Sequence, residues 1–303
     1  MTVPVAAPLL TLTGNLLAER TLEFADWAPG KTQRAARESF QVGGKGINVS
    51  KMLHRLGAPT TALCFAGGAA GVECSQWLQA QKFTSRIFPT VSSTRIGVVV
   101  RGGRQPETTF FSPDSPPDAA AIRACADYLD AQPPGQVLAV CGSLPGWLAI
   151  EFDPLRAALR RWQERGPLVV DTYGPPLAWL AELPLALIKI NAVELRTLVG
   201  DEAAPTDTCS LIKLASGRWP VRRWIITDGP GPVWFCEGNG NPVSLTPPSV
   251  REVSPTGSGD VLLAGVLDSH FRHGRTLAES VAAALPLAAT NAAHPGIGEF
   301  PIP

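Results

Sequence analysis

SPTGSGDVLLAG, residues 254–265, sets a Gly-Ser-Gly turn (Gly257, Ser258, Gly259) directly before an aspartate and an apolar run. The first turn of a helix leaves backbone N–H groups without partners and carries partial positive charge, so a turn bare of side chains forms a cradle for an anion. Asp260 has two readings at this place. It can cap the helix, which is worth about 0.5–2 kcal/mol. Alternatively it stands beside a phosphoryl group held on the turn and takes the proton from an attacking hydroxyl. A cap does not require Gly257 and Gly259, whereas a bound phosphoryl group needs the backbone bare, and this favours the second reading.

A second glycine cluster lies far upstream, in VGGKGINVSKMLHRLG, residues 42–57. Val49, Leu53 and Leu56 repeat at helical spacing after it. Gly43, Gly44 and Gly46 let a ligand approach the backbone, and Asn48 offers both a donor and an acceptor to sugar hydroxyls. Taken alone the cluster reads equally well as a tight strand-to-helix turn; together with the first it reads as a site.

Between and around the clusters, short apolar runs alternate with helical patterns: LLTLTG, VLAVCGSLP, PLVVDT, ALIKIN and RRWIITDG are the strands of the series. Strands of this kind separated by helices predict an α/β fold, a mostly parallel sheet covered on both faces. Residues 20–42 and 94–112 break the rhythm and read as antiparallel hairpins, the second turning at Gly102 and Gly103. Inserted strands of this kind predict a small β lid over the crevice at the strands' carboxyl ends.

At 303 residues, the length suits one large core with a small added layer. Lys plus Arg equal Asp plus Glu at 26 each, which predicts neither a nucleic-acid partner nor an acidic membrane surface, but a small molecule. Cys64, Cys74, Cys125, Cys141, Cys209 and Cys236 form no C-x-x-C pair and are expected to be reduced thiols, mostly buried. With no basic leader and no apolar run of about 20 residues, a soluble cytoplasmic protein is expected.

Two nucleotide motifs fail. GKT at Gly30–Thr32 lacks the glycine of a phosphate loop, since Ala25 stands there and TQRAAR follows. Neither glycine cluster completes G-x-G-x-x-G, because Val49 and Leu262 occupy the third position.

The two clusters together resemble the signatures of PfkB-type, ribokinase-like carbohydrate kinases, most closely the branch of 1-phosphofructokinase and tagatose-6-phosphate kinase. GSLPG (142–146), DTYG (171–174), KINAVE (189–194) and TDGPG (227–231) follow in the family's order, and the likeness runs from about Leu9 to Pro301. The resemblance implies a single three-layer α/β/α kinase domain with a lid, acting with ATP and Mg²⁺ on a sugar or sugar phosphate. It makes Asp260 the catalytic base and the N–H groups of Gly257, Ser258 and Gly259 the anion hole. It assigns Lys189, Asn191, Glu194, Thr227, Gly229, Gly231 and Asn291 to the nucleotide side, with Glu194 holding magnesium through water. His294–Gly296 fall near the implied adenine pocket. Glu19, Gly43, Gly44, Lys45, Asn48, Arg95 and Ser143 go to the acceptor side, with Arg95 on the acceptor's existing phosphate.

The sequence departs from that pattern in three places. Thr13–Arg20 replaces L-N-P-A-L-D, with Glu19 taken to match its aspartate. The lid carries Gly97 and ETTFFSPDS (107–115), and Ser254-Pro255 stands where the ribokinase branch binds a monovalent cation, so no potassium dependence is expected. Loss of polar groups from a sugar site weakens discrimination. The main expectation is phosphoryl transfer to a hydroxyl of a sugar monophosphate. The alternatives are a kinase of an unphosphorylated sugar or nucleoside, and a non-catalytic sugar-phosphate sensor. Exposed lid strands allow a homodimer.

Overall fold

A computed structural model of the chain describes residues 8–103, 105–200 and 205–302. The first strand, β1 (Leu9–Thr13), lies inside a large sheet. Next come β2 (Leu17–Phe24), β3 (Arg37–Gly43), α1 (Lys45–Arg55), β4 (Thr60–Ala66), α2 (Gly68–Ala80), β5 (Ser85–Pro89), β6 (Arg95–Gly102) and β7 (Thr108–Phe111). The middle of the chain holds α3 (Ala119–Asp130), β8 (Leu138–Cys141), α4 (Asp153–Arg165), β9 (Leu168–Asp171), α5 (Pro175–Ala181), β10 (Leu187–Asn191), α6 (Ala192–Val199) and α7 (Thr208–Arg218). The last elements are β11 (Arg223–Thr227), β12 (Val233–Glu237), β13 (Val243–Leu245), α8 (Ser258–Val266) and α9 (Leu277–Ala292).

The large sheet has nine strands in the order β13-β12-β11-β10-β9-β8-β1-β4-β5, parallel except for β12 and β13. Alternation along each strand sends side chains to both faces. Leu10, Leu12, Val140, Val170, Ile190 and Trp224 pack under the helices α3 to α7. On the opposite face Leu9, Ala139, Val169, Leu187 and Ile225 meet α1, α8 and α9. Burial on both faces explains why these strands read as continuous apolar runs. All six cysteines are free and five are buried; burial raises the thiols of Cys64 and Cys74 to about 12. No helix among the described residues is long and apolar enough to cross a membrane.

The chain leaves β1 toward β4 and β5 on one side and later toward β8 and β9 on the other, so the order reverses between β1 and β8. Crevices open at the carboxyl ends of strands at such a point. The register puts Thr13 beside Cys141 and Cys141 beside Asp171, while Asn191 lies beside Thr227, so these strand ends form one rim.

A second, four-stranded sheet, β3-β2-β6-β7, stands apart from the first. It begins at Leu17, three residues ahead of the expected 20–42 segment. Each hairpin is antiparallel, as its turn chemistry predicts, but β2 and β6 join in parallel. At its base, Leu17 pairs with both Gly43 and Arg95, so the strand end leading into α1 and the start of β6 share one row.

Candidate active site

Two helix N-termini converge on the rim. Gly44 precedes α1 and Gly257 precedes α8, and neither has a side-chain cap, while the Ser258 N–H donates to Pro255 O at 3.2 Å. Gly257 holds φ +77°, a left-handed conformation that strains other residues, and a Cβ there would run into Ile297. At Gly259 a Cβ would meet the ammonium of Lys189, which would have to shift from its place beside the turn.

Asp260 sits on the first turn of α8 and is 5% exposed. Its Oδ2 accepts a hydrogen bond from Asn48 Nδ2 of α1 at 2.8 Å, whereas Asn48 Oδ1 is buried without a partner. Burial first and the charge of Asp171 second raise the Asp260 carboxyl to about 6, against the pull of Lys45, Lys189 and Asn48.

Asp171, at the end of β9, is fully buried and accepts from Lys45 Nζ at 2.7 Å and Lys189 Nζ at 2.8 Å. Burial alone would raise its carboxyl, but the two ammonium groups outweigh burial and hold it below the ordinary range. Lys45 is raised although burial opposes this, by Asp171, Glu194 and Asp260 together. The Glu194 carboxylate lies 3.5 Å from Lys45. Asp171 links the two lysines that the sequence reading placed on different substrates. DTYG entered that reading without a role for its aspartate; the signal was a carboxylate ending a strand of four buried residues, LVVD.

Asn191 and Glu194 form a capping box at the start of α6: Asn191 Oδ1 accepts from the Glu194 N–H at 2.8 Å, and Glu194 Oε2 accepts from the Asn191 N–H at 2.9 Å. Both side chains therefore fix the start of this helix, whatever else they bind. Among the described residues, no group of three or more His, Cys, Asp or Glu side chains is arranged to hold a metal ion.

Beside the glycine turn lies a cavity of about 610 Å³ lined by Thr227, Gly229, Val250, Ser258, Gly259 and Ala292, among others. Gly231 closes the turn next to it, its N–H donating to Asp228 O. Asn291 does not line the cavity; its Nδ2 donates to Thr256 O at 3.0 Å and Ser258 Oγ at 3.1 Å, and its Oδ1 accepts from the Gly298 N–H at 2.9 Å. His294–Gly296 are also absent from the lining, which α9 supplies through Leu285, Ala288, Ala289 and Ala292. The 294–296 segment instead meets the small sheet, where Arg101 Nη2 donates to Pro295 O at 2.7 Å.

On the acceptor side, Ser143 Oγ accepts from Asn15 Nδ2 at 2.9 Å, and the same Nδ2 is 2.7 Å from Asp114 Oδ1. Arg95 Nη1 reaches Asp114 Oδ1 at 3.3 Å. Glu19 is buried, but its carboxylate accepts from Gln41 Nε2 at 2.5 Å, and Gln41 Oε1 accepts from Lys51 Nζ at 2.8 Å. Lys51, lowered by burial to about 8, lies over the Trp77 ring. This chain ties the small sheet to α1 and α2. The Leu17 side chain packs against Gly43 and Gly97, and Glu19 pairs with Gly97 along the β2–β6 register.

Residues 12–303 match the pfkB family carbohydrate kinase. A 1-phosphofructokinase of Borreliella burgdorferi is 29% identical over 275 residues, covering 90% of this chain and 87% of that protein. Phosphofructokinase-2 of Escherichia coli, solved in complex with fructose-6-phosphate, superposes with a TM-score of 0.84 at 22% identity, covering 94% of this chain and 93% of that one. Ribokinase of Thermotoga maritima superposes with a TM-score of 0.74 at 16% identity, over 98% and 97% of the two chains. The fold is thus ribokinase-like, and the chain belongs to the pfkB family of carbohydrate kinases.

Proposed function

We propose that this carbohydrate kinase transfers the γ-phosphoryl group of ATP to a hydroxyl of a sugar monophosphate, the whole chain acting as one domain with the small sheet as its lid. The observation that carries this reading is the placement of Asp260: buried, hydrogen-bonded to Asn48, and one residue beyond the bare turn on the wall of the cavity. Anion cradle and base then come from one turn. A protein that only bound sugar phosphates would have no use for the second.

The nucleotide takes the cavity. Its apolar wall, with Leu262, Leu285 and Ala288, suits a base, and Thr227 and Gly229 lie at its rim. The transferring group meets the N–H groups of Gly257, Ser258 and Gly259. Lys189, held by Asp171 against Gly259, adds fixed positive charge where charge accumulates in the transition state. Gly231 and Asn291 shape the turns on this side. Magnesium fits as an ion brought by the nucleotide, with Glu194 reaching it through water, because Mg²⁺ is commonly held by one or two carboxylates plus substrate phosphates. When bound it supplies neutralising charge on the phosphates.

The acceptor lies across the turn against Gly43, Gly44, Lys45 and Asn48. The free Asn48 Oδ1 suits a sugar hydroxyl, and its amide keeps the Asp260 carboxylate oriented. Asp260 takes the proton of the attacking hydroxyl as the lid excludes water. Arg95 and Ser143 meet the acceptor's phosphate, with Arg95 Nε available as a buried donor without a partner. Glu19 serves through Gln41 and Lys51 in fixing the lid. The name of the Borreliella relative and the fructose-6-phosphate complex of the Escherichia protein favour a hexose monophosphate. Ile96 and Phe110, exposed on the lid, favour pairing with a second copy, and we infer a cytoplasmic enzyme from its resemblance to sugar-phosphate kinases.

The test is turnover with ATP and Mg²⁺ against hexose monophosphates and the matching free hexoses. Product from a phosphorylated acceptor is expected, and Arg95→Ala should raise KM for that acceptor by more than about tenfold. Turnover of free sugars alone would favour the unphosphorylated alternative, and no product from any acceptor would overturn the kinase reading.

A further inference from the structure

The Arg95 guanidinium is already engaged by a carboxylate of the same chain. Asp114 Oδ1 accepts from Arg95 Nη1 at 3.3 Å and from Asn15 Nδ2 at 2.7 Å, and through Asn15 the pair is joined to Ser143. Arg95 lies over the Phe111 ring at 5.1 Å, so one flat side of the guanidinium is covered. Its Nε is buried and has no partner, which leaves the other edge of the fork unsatisfied. Asp114 itself is half exposed and lies in a loop, SPDSPP, pinned at one end by the Ser112 N–H on Ile96 O and held stiff by its prolines.

This arrangement joins a weak, partly solvated ion pair to an unsatisfied donor on the same guanidinium. A bidentate anion would use Nε and an Nη together. A phosphate placed there comes next to the Asp114 carboxylate, and like charges at such distances repel. A neutral acceptor meets no such conflict and leaves the Arg95–Asp114 pair intact.

We propose that Asp114 is a specificity-determining residue: an internal anion paired with Arg95 Nη1 that repels a phosphate arriving at the free Nε edge and thereby lowers the preference for phosphorylated over free sugars. This inference rests on the sugar-monophosphate reading of the same site. Asp114→Asn keeps the size of the side chain and an oxygen for Asn15 but removes the charge.

The experiment measures kcat and KM for a hexose monophosphate and the matching free hexose, in the wild type and in Asp114→Asn. Alongside, the dissociation constant of fructose 6-phosphate is measured by calorimetry. The expected result is a fall of roughly three- to tenfold in KM and Kd for the phosphorylated sugar, with the free hexose unmoved. In an Arg95→Ala background the same substitution should have no effect, a coupling that loop packing alone would not produce. Equal shifts for both sugars, no shift, or weaker binding of the phosphorylated one would overturn the role of Asp114 while leaving the kinase reading intact. If the wild type turned over no phosphorylated acceptor, that reading would fail, and the calorimetric comparison would still decide the inference: tighter binding in Asp114→Asn supports it and unchanged binding overturns it.

Discussion

At Asp260, burial and the Asp171 charge act in the same direction, and a carboxyl raised to about 6 is still mostly ionised at neutral pH. A base has to be ionised to act, so protonation removes activity. The rate kcat/KM should therefore fall on the acid side with an apparent pKa near 6, and Asp171, held below its ordinary range by the two lysines, should not titrate there. A pH profile that is flat through that region would remove Asp260 from the rate equation. Asp171→Asn is a different kind of change. It leaves the buried Lys189 and the partly exposed Lys45 without their common counter-charge, and breaking a buried pair such as Asp171–Lys189 costs about 3–5 kcal/mol. Loss of thermal stability together with activity is expected, in contrast to an Asp260 variant.

At the scale of elements, the turn before α8 is held from behind by Asn291 of α9, through Thr256, Ser258 and Gly298. Asn291→Ala removes these bonds and should cost about 1–3 kcal/mol. It should raise KM for ATP more than KM for the acceptor, since it loosens the phosphate cradle rather than the lid; a larger effect on the acceptor would contradict this. The glycine turns, the strand-helix rhythm and the two hairpins were legible in the sequence because each depends on neighbours a few residues away. The Asp171 bridge between Lys45 and Lys189 was not, since Lys45 lies 126 residues from its partner in the chain. Nor was the Asn15–Asp114–Ser143 cluster, where polar side chains from three loops meet only after folding. The part of α9 that lines the cavity, Leu285, Ala288, Ala289 and Ala292, was not legible as a wall either, because its pattern reads as ordinary helix packing.

Across the whole molecule, the sheet order reverses between β1 and β8, and this puts the carboxyl ends of the central strands on one rim. The small sheet and the core are tied at both ends: Arg101 reaches Pro295, and Glu19, Gln41 and Lys51 bridge to α1. The lid's outer residues Ile96 and Phe110 are about half exposed. If a second copy covers them, Phe110→Asp should shift the sedimentation profile toward the monomer, and an unchanged profile would place any interface elsewhere. The central claim, that the aspartate beside the bare glycine turn is the base for phosphoryl transfer, is tested most directly by Asp260→Asn. Steady-state turnover should be measured alongside calorimetric binding of ATP and acceptor. A loss of about 10²–10⁴-fold in kcat with both dissociation constants essentially unchanged is predicted; a kcat within about threefold of wild type would contradict it.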